Sequence, residues 1–244
     1  MALFNFITGF RDDNRGALAV QHWLEVNRED ADPYEPAARS SIVDLGTDGR
    51  FIDKPDMLAL LDPVSTQGTV PMKFDMENEE LGTIERYFPS GDLLFAYAVF
   101  TGSNSVKVLV KKCDDWGRSC PNQATKLSED QNLVSGISLS AIGDTVMAVW
   151  RRRGDNNEPD AIMWAVSNNR GKKWTKAEAL PLCSFDMASF TSGEYVTFRT
   201  NDFPWIANDG ERFYLFYSDR SFGGSCNTGR PRILMRHAEP GGNI

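Results

Sequence analysis

Arginine and aspartate side chains flank several strand-like runs, at positions where they could bind an anionic ligand together. The charged residues that we select as ligand-binding candidates are Arg50, Asp53, Lys54, Arg151, Arg153, Arg199, Asp202, Asp219 and Arg220. A planar guanidinium group binds carboxylates, sulfates or phosphates through paired N–H···O bonds. The competing interpretation is that these charges are solvated loop residues that form local ion pairs.

Other kinds of site chemistry have little support in the sequence. The chain has 2 histidines, His22 and His237, which lie in a predicted helix and in a turn, so we expect neither metal nor histidine-base chemistry. No Ser-His-Asp or nucleotide motif is present, and we expect no cofactor. A net charge of −8 argues against a nucleic-acid partner, and no apolar run is long enough to span a membrane.

Strand-like runs come in consecutive sets, separated by polar turns. The first set is PDMLALLD, LLFAYAVFT, VKVLVKK and ATKL. The second is GISLSA, TVMAVWRR, AIMWAV and KAEAL, and the third is PWIAND, RFYLFYS and RILMR. Antiparallel meanders of four strands are the blades of β-propellers, so the sequence predicts an all-β chain with about three such units.

A turn of eight residues follows the third run of each set. The three turns are CDDWGRSC at 113–120, SNNRGKKW at 167–174 and HAEPGGNI at 237–244. Their third position is Asp115, Asn169 or Glu239, a residue that can accept backbone N–H bonds. Their fifth is Gly117, Gly171 or Gly241, which permits a positive φ. Their eighth, such as Trp174, can pack under the hairpin.

These turns resemble the Asp box of sialidase-like β-propellers, S/T-x-D-x-G-x-x-W, with Asn169 standing for the aspartate in the second copy. The stretches FIDKPDMLALLD and FRTNDFPWIAND also resemble the segments that lead into the innermost strand of a blade. The resemblance covers roughly residues 41–244 and implies a partial propeller of about three four-stranded blades. Residues 1–40 then form an N-terminal strand, helix and linker.

The resemblance also implies where a site would lie. In a four-stranded meander the Asp boxes share one end with the turns between first and second strands, and have a structural role. The ligand-binding candidates gather at the opposite end, here called the loop end. Sialidases use three arginines on the sugar carboxylate, a Tyr–Glu nucleophile pair and an Asp acid/base. These residues cannot be placed one by one on this sequence. The segment Phe198 to Pro204 is only loosely similar to the family's F/Y-R-I-P motif.

The same box geometry implies a disulfide between Cys113 and Cys120, which begin and end the first turn. Cys183 and Cys226 form a second possible pair. Disulfides suit export, although the N-terminal MALFNFITGF lacks the basic residues and cleavage site of a signal peptide.

The N-terminal region is expected to complete the fold. The pattern of DNRGALAVQHWLEVNRED predicts a helix, ADPYEPAARS a linker, and SIVDLG the last strand of a blade. RILMR has an open edge, and LFNFITGF is expected to pair with it, within the chain or from a neighbouring subunit. A propeller needs at least about four blades. The chain is therefore a fragment, or closes as a homo-oligomer or larger assembly, or is capped by its first 50 residues.

Two functions remain open at this stage. The first is a protein that binds a glycan or a protein partner through the loop end, without complete glycosidase machinery. The second is an exo-glycosidase that hydrolyses sialic or other acidic sugars, for which paired carboxylates are required.

Overall fold

The computed structural model is built from β-strands over the residues that it describes. These are 3–9, 16–25, 34–46, 50–71, 83–101, 105–114, 117, 119–129, 131, 133–154, 159–183, 203–226 and 228–242. For 3–9, 16, 20–25, 34–41, 62–71 and 83–90 the backbone alone is described.

Four antiparallel sheets follow one another along the chain. The first sheet contains β1 (Leu3–Gly9), β2 (Gly16–Glu25) and β3 (Tyr34–Gly46). The second contains β4 (Arg50–Pro71), β5 (Thr83–Thr101), β6 (Val106–Cys113) and β7 (Thr125–Lys126). The third contains β8 (Val134–Ile142), β9 (Thr145–Arg152), β10 (Ala161–Ser167) and β11 (Glu178–Pro181). The fourth contains β12 (Trp205–Asn208), β13 (Phe213–Phe222) and β14 (Arg230–Ala238).

The expected meanders of the second, third and fourth sheets are confirmed, because in each sheet the strands pair in chain order. β4, β8 and β12 each lie at one edge of their sheet, as expected for the first strand of a meander. In β13 the buried residues Phe213, Leu215 and Tyr217 alternate with half-buried residues, because successive side chains of a strand point to opposite faces of the sheet. The strand β10 is buried throughout, which is typical of a strand covered on both faces.

The sheets pack face to face in the same order. Leu18 and Val43 of the first sheet pack on Phe95 of the second. On the opposite face of β5, Leu94 packs on a cluster with Trp150 of the third sheet. The third and fourth sheets meet through a further cluster, whose members include Met147, Val149, Ile162, Leu215 and Phe213. Since successive residues of a strand point to opposite faces, each middle sheet contributes to two cores.

The N-terminal predictions are partly wrong. β2 occupies the segment expected to be a helix, and β3 includes most of the expected linker. In β2, Leu18, Val20 and Leu24 repeat with a period of two, and pairing with β1 and β3 overrides the apparent helical spacing. SIVDLG does form the last strand of its sheet, as predicted.

The prediction that LFNFITGF pairs with RILMR within the chain is also wrong. β1 pairs with β2 in a continuous antiparallel register from Leu3↔Leu24 to Gly9↔Leu18. A hairpin between neighbouring segments costs less loop-closure entropy than a pairing with β14, more than 200 residues away in the chain. In the described part of the chain β14 pairs with β13.

Candidate functional site

The three glycine turns, at 113–120, 167–174 and 237–244, are built alike where the structure describes them. Gly117, Gly171 and Gly241 have φ values of 83°, 79° and 82°. In the second turn the Lys172 amide donates to the Asn169 carbonyl at 3.3 Å, and in the third the Gly242 amide donates to the Glu239 carbonyl at 2.9 Å. The sequence repeat therefore corresponds to a repeat of backbone conformation.

The second turn is held by its side chains. Asn169 Oδ1 accepts from the Lys173 amide at 2.8 Å, and Ser167 Oγ accepts from the Gly171 amide at 2.9 Å. Trp174 Nε1 donates to the Gly171 carbonyl at 3.1 Å, while the ring packs against the core between the second and third sheets. These contacts give the turn a structural role.

The first turn is closed covalently. Cys113 and Cys120 form a disulfide with their Sγ atoms 2.07 Å apart, so the pair expected from the sequence is present. Asp115, the third position of this turn, lies outside the described residues.

The second and third glycine turns lie at the same end of their sheets as the hairpins between first and second strands. The Arg170 amide donates to the Asp144 carbonyl in the β8–β9 hairpin at 2.9 Å. In the fourth sheet, Arg212 Nε in the β12–β13 hairpin donates to Glu239 Oε1 at 3.0 Å. The predicted separation of the glycine turns from the loop end agrees with these contacts.

At the loop end, Arg151 is 3% exposed and pairs with Asp160 at 3.5 Å. Its neighbour Arg152 donates from Nη2 to the Pro159 carbonyl at 3.0 Å. Both guanidinium groups therefore hold the β9–β10 loop. Arg153 is exposed, and its amide donates to the Leu133 carbonyl at 3.0 Å.

Arg50 belongs to a charged cluster between the first two sheets. Its Nη2 lies 3.5 Å from Asp44 Oδ2, which also accepts from the Tyr97 hydroxyl at 2.7 Å. Lys111 Nζ donates to the Val43 carbonyl at 2.5 Å. Burial lowers the pKa of Lys111, whereas burial and the Asp44 hydrogen bond raise the pKa of Tyr97 well above its ordinary value. This cluster connects β3 to β5 and β6.

Asp219 and Arg220 connect the third and fourth sheets. Asp219 Oδ2 accepts from the Cys183 amide at 3.0 Å, and the Arg220 amide donates to the Cys183 carbonyl at 2.8 Å. Cys183 is also joined to Cys226 by a disulfide with a Cα–Cα distance of 4.9 Å. Burial tends to raise the pKa of Asp219, but hydrogen bonds from Ser221 and Cys183 outweigh it and lower that pKa.

The inner-strand cleft is formed where β4, β8 and the segment leading into β12 meet. It has a volume of about 190 Å³, and its lining includes Lys54, Asp56, Gly136, Phe203 and Trp205. Lys54 Nζ lies 4.7 Å from the centroid of the Phe203 ring and 3.4 Å from Asp53 Oδ2. Trp205 is 65% exposed and presents an aromatic side chain beside the cleft.

Backbone irregularities shape the cleft. The pairing of β4 shifts between Asp53 and Asp56, and that of β8 shifts between Ser135 and Ser138. Lys54 has a φ of 50°, in the left-handed region that non-glycine residues rarely adopt. A Cβ at Gly136 would lie 2.1 Å from the Phe203 ring, so a residue without a side chain is required there.

Asp56 links β4 to β8 inside the cleft. Its Oδ2 accepts from the Leu139 amide at 2.7 Å, and its Oδ1 accepts from the Met57 amide at 2.9 Å. Burial raises the pKa of Asp56 above its ordinary value of 3.8, against the opposing effect of hydrogen bonds from Leu139, Met57 and Ser138. The cleft therefore contains one acidic group whose protonation is favoured by its surroundings.

The structure brings together Asp53 and Lys54, but it does not gather the predicted arginines around one point. Arg199 and Asp202 lie outside the described residues. Asp56, Phe203 and Trp205 were not among the site residues predicted from the sequence. A signal was present in Pro55 and Pro204, because a proline in or next to a strand indicates a bulge, an edge or the start of the strand.

Two features are absent from the described residues. No helix there is sufficiently long and apolar to cross a membrane. No group of three or more histidine, cysteine, aspartate or glutamate side chains within those residues is arranged to hold a metal ion.

Comparison with known proteins adds little. No family model matches the chain, and no curated protein matches it. A solved structure of a mutant of NanB sialidase from Streptococcus pneumoniae is similar over 96% of this chain, with 8% sequence identity and a TM-score of 0.31. This chain spans 46% of that sialidase chain. These values are too low to assign a function.

Proposed function

We propose that the chain is a carbohydrate-binding protein, which holds a terminal sugar unit in the inner-strand cleft without hydrolysing it. The observation that carries this proposal is the combination of Lys54, Asp56 and the exposed Trp205 around one cleft. A sugar offers hydroxyl groups to polar side chains and C–H groups to an aromatic face. The cleft has partners for both.

The size of the cleft favours a small ligand. Its 190 Å³ lies below the roughly 300–1,000 Å³ of pockets that enclose drug-sized molecules. One sugar residue at the end of a longer chain suits this space, while the rest of the glycan extends into solvent.

The charges favour a neutral sugar over an acidic one. Lys54 pairs with Asp53 at 3.4 Å, and Asp56 also lines the cleft, so the described lining residues carry no excess of positive charge. Two of the arginines that were predicted to recognise a carboxylate are engaged elsewhere: Arg151 with Asp160, and Arg50 with Asp44. The carboxylate of Asp56, which lines the cleft, retains oxygen lone pairs that can accept hydrogen bonds from sugar hydroxyls.

The backbone of Lys54 is a second support for a ligand-binding role. A non-glycine residue in the left-handed region costs roughly 1–2 kcal/mol, and such residues are concentrated at functional sites. Lys54, with a φ of 50°, is such a residue. In this conformation its ammonium group lies over the Phe203 ring at the cleft.

A glycosidase is the second candidate, and Asp56 is the observation that favours it. A carboxyl group with a raised pKa in a cleft is suited to act as a general acid. Hydrolysis also requires a second carboxyl group about 5–10 Å from the first. Asp56 is the carboxyl group in the described lining of the cleft, and Asp53, which pairs with the cleft residue Lys54, is the candidate for the second.

A glycan array followed by titration calorimetry tests the binding proposal. We expect binding to neutral terminal sugars that weakens at least tenfold in Trp205→Ala and in Lys54→Gly, which is about 1.4 kcal/mol or more. Lys54→Gly removes the backbone strain, so its melting temperature should not fall, and lost binding cannot be ascribed to unfolding. The control is Ile233→Ala, which truncates a residue that is 78% exposed on β14.

The outcomes separate the two candidates. Absence of binding to every glycan, or equal binding by wild type and Trp205→Ala, overturns the proposal. Turnover of a fluorogenic glycoside that is lost in Asp56→Asn, in a variant that remains folded, supports the glycosidase instead.

A further inference from the structure

A second cavity lies on the outer side of the second and third sheets and has no part in the cleft. This outer groove has a volume of about 800 Å³, within the usual range for ligand sites. One side of the groove is formed by β7 and the segment that follows it. The other side is formed by β10, β11 and the glycine turn of the third sheet. Its lining is Thr125, Lys126, Leu127, Glu129, Gln131, Arg152, Met163, Trp174, Thr175, Lys176, Ala177 and Ala179.

The charge of the outer groove is opposite to that of the chain. Lys126, Arg152 and Lys176 supply three positive charges, and Glu129 supplies one negative charge, in a chain whose net charge is −8. Lys126 and Glu129 pair at 3.5 Å, but both side chains are well exposed. An exposed pair of this kind is worth little, so an incoming anion can replace Glu129 as the partner of Lys126.

The base of the outer groove is apolar. Leu127 and Met163 are buried, and Trp174 and Ala177 are half-buried. Ala177 and Ala179 are two residues apart in the chain and leave space for larger side chains above them. The two edge strands beside the groove are short, since β7 has two residues and β11 has four.

We propose that the outer groove binds an extended acidic peptide, whose alternate side chains are carboxylate and apolar. In an extended chain successive side chains point in opposite directions. The apolar side chains would lie over Met163, Trp174 and Ala179, and the carboxylates would reach the ammonium groups of Lys126 and Lys176. A sulfated sugar chain would satisfy the positive charges but would leave this apolar base uncovered.

Fluorescence anisotropy of the full chain with labelled ten-residue peptides tests the proposal. The probes are a peptide of alternating glutamate and valine, one of glutamine and valine, and one of glutamate and serine. We expect the glutamate–valine peptide to bind, and each of the others to bind at least tenfold more weakly. Because the contacts include ion pairs, binding should also weaken between 50 and 200 mM salt.

A pair of double variants locates the binding site. Lys126→Glu with Lys176→Glu should weaken binding at least tenfold. The matched control is Lys172→Glu with Lys173→Glu, which makes the same change in net charge on two exposed lysines of the glycine turn that do not line the groove. The control should change the affinity less than twofold, and Trp205→Ala in the cleft should leave it unchanged.

Three results overturn the proposal. They are equal loss of affinity in the two double variants, equal binding of the valine and serine peptides, and tighter binding of a heparin-derived hexasaccharide than of the glutamate–valine peptide. The last would identify the outer groove as a site for anionic sugars.

Discussion

The Asp219 carboxylate joins two sheets through three hydrogen-bond donors. It is 6% exposed and accepts from the Ser221 hydroxyl, the Ser221 amide at 2.6 Å and the Cys183 amide at 3.0 Å. Each donor favours the ionised form, and together they lower its pKa although burial acts in the opposite direction. Asp219, in β13, therefore links the fourth sheet at the loop end to Cys183, which lies shortly after β11.

We predict that Asp219→Asn lowers the free energy of unfolding at pH 7 by about 1–3 kcal/mol, because an amide replaces a charged acceptor. The folded-state pKa is lowered, so the stabilisation by the ionised group is present above the ordinary value of 3.8 and is lost as the pH falls below it. The difference in melting temperature between wild type and variant should therefore shrink between pH 5 and pH 2.5.

Asp144→Asn is the control for this measurement, because its side chain is 72% exposed in the β8–β9 hairpin. It should change the melting temperature little at any pH. A difference between wild type and Asp219→Asn that stays constant from pH 7 to pH 2.5 would contradict the assignment.

The glycine turns show how one local conformation is used in different surroundings. Gly171 and Gly241 have nearly the same φ, 79° and 82°. A Cβ at Gly171 would lie 2.6 Å from Cδ1 of Leu94, a buried residue of β5 in the second sheet. A Cβ at Gly241 would meet nothing within 4 Å. The second turn is thus packed against a neighbouring sheet at its glycine, whereas the position of Gly241 in the described part of the third turn has open space beside it.

We predict that Gly241→Ala destabilises the chain by about 1 kcal/mol, which is the cost of a left-handed alanine alone. Gly171→Ala should cost about 3 kcal/mol, because overpacking against Leu94 adds to the same backbone cost. Urea denaturation gives both values if the dependence on denaturant is unchanged. Equal costs at the two sites would show that the contact with Leu94 contributes nothing.

At the scale of the whole molecule, the four sheets are joined mainly by apolar packing, with a few polar and covalent links between neighbours. Arg170 reaches from the glycine turn of the third sheet to the carbonyls of Leu60 and Leu61 in the second. The Cys183–Cys226 disulfide joins the segment after the third sheet to the β13–β14 loop of the fourth. Cys113–Cys120, in contrast, lies within a single turn.

We predict that the two disulfides differ in their effect on stability. Their sequence separations are 43 and 7 residues. From loop-closure entropy we expect the Cys183–Cys226 disulfide to stabilise the fold by about 4 kcal/mol and the Cys113–Cys120 disulfide by about 2 kcal/mol. Cys183→Ser with Cys226→Ser should therefore lower the melting temperature more than Cys113→Ser with Cys120→Ser. The reverse order in differential scanning calorimetry would contradict this prediction.

Much of the strand order could be predicted from the sequence alone. Short apolar runs bounded by polar turns identified β6, β9, β10 and β13, since such runs are typical of buried strands. The glycine turns were recognisable because a positive φ requires glycine at a fixed position. The Cys113–Cys120 pair followed from the same turn, because its first and last residues must lie close together.

Only the tertiary structure decided the N-terminal strands and the site. β2 is a strand because β1 and β3 pair with it, which local spacing does not reveal. Arg151 is buried because the β9–β10 loop folds over it, and its sequence neighbours do not distinguish it from the exposed Arg153. The cleft assembles Lys54, Gly136 and Trp205 from three sheets. Local sequence specifies backbone preference, whereas exposure and proximity depend on which distant faces pack together.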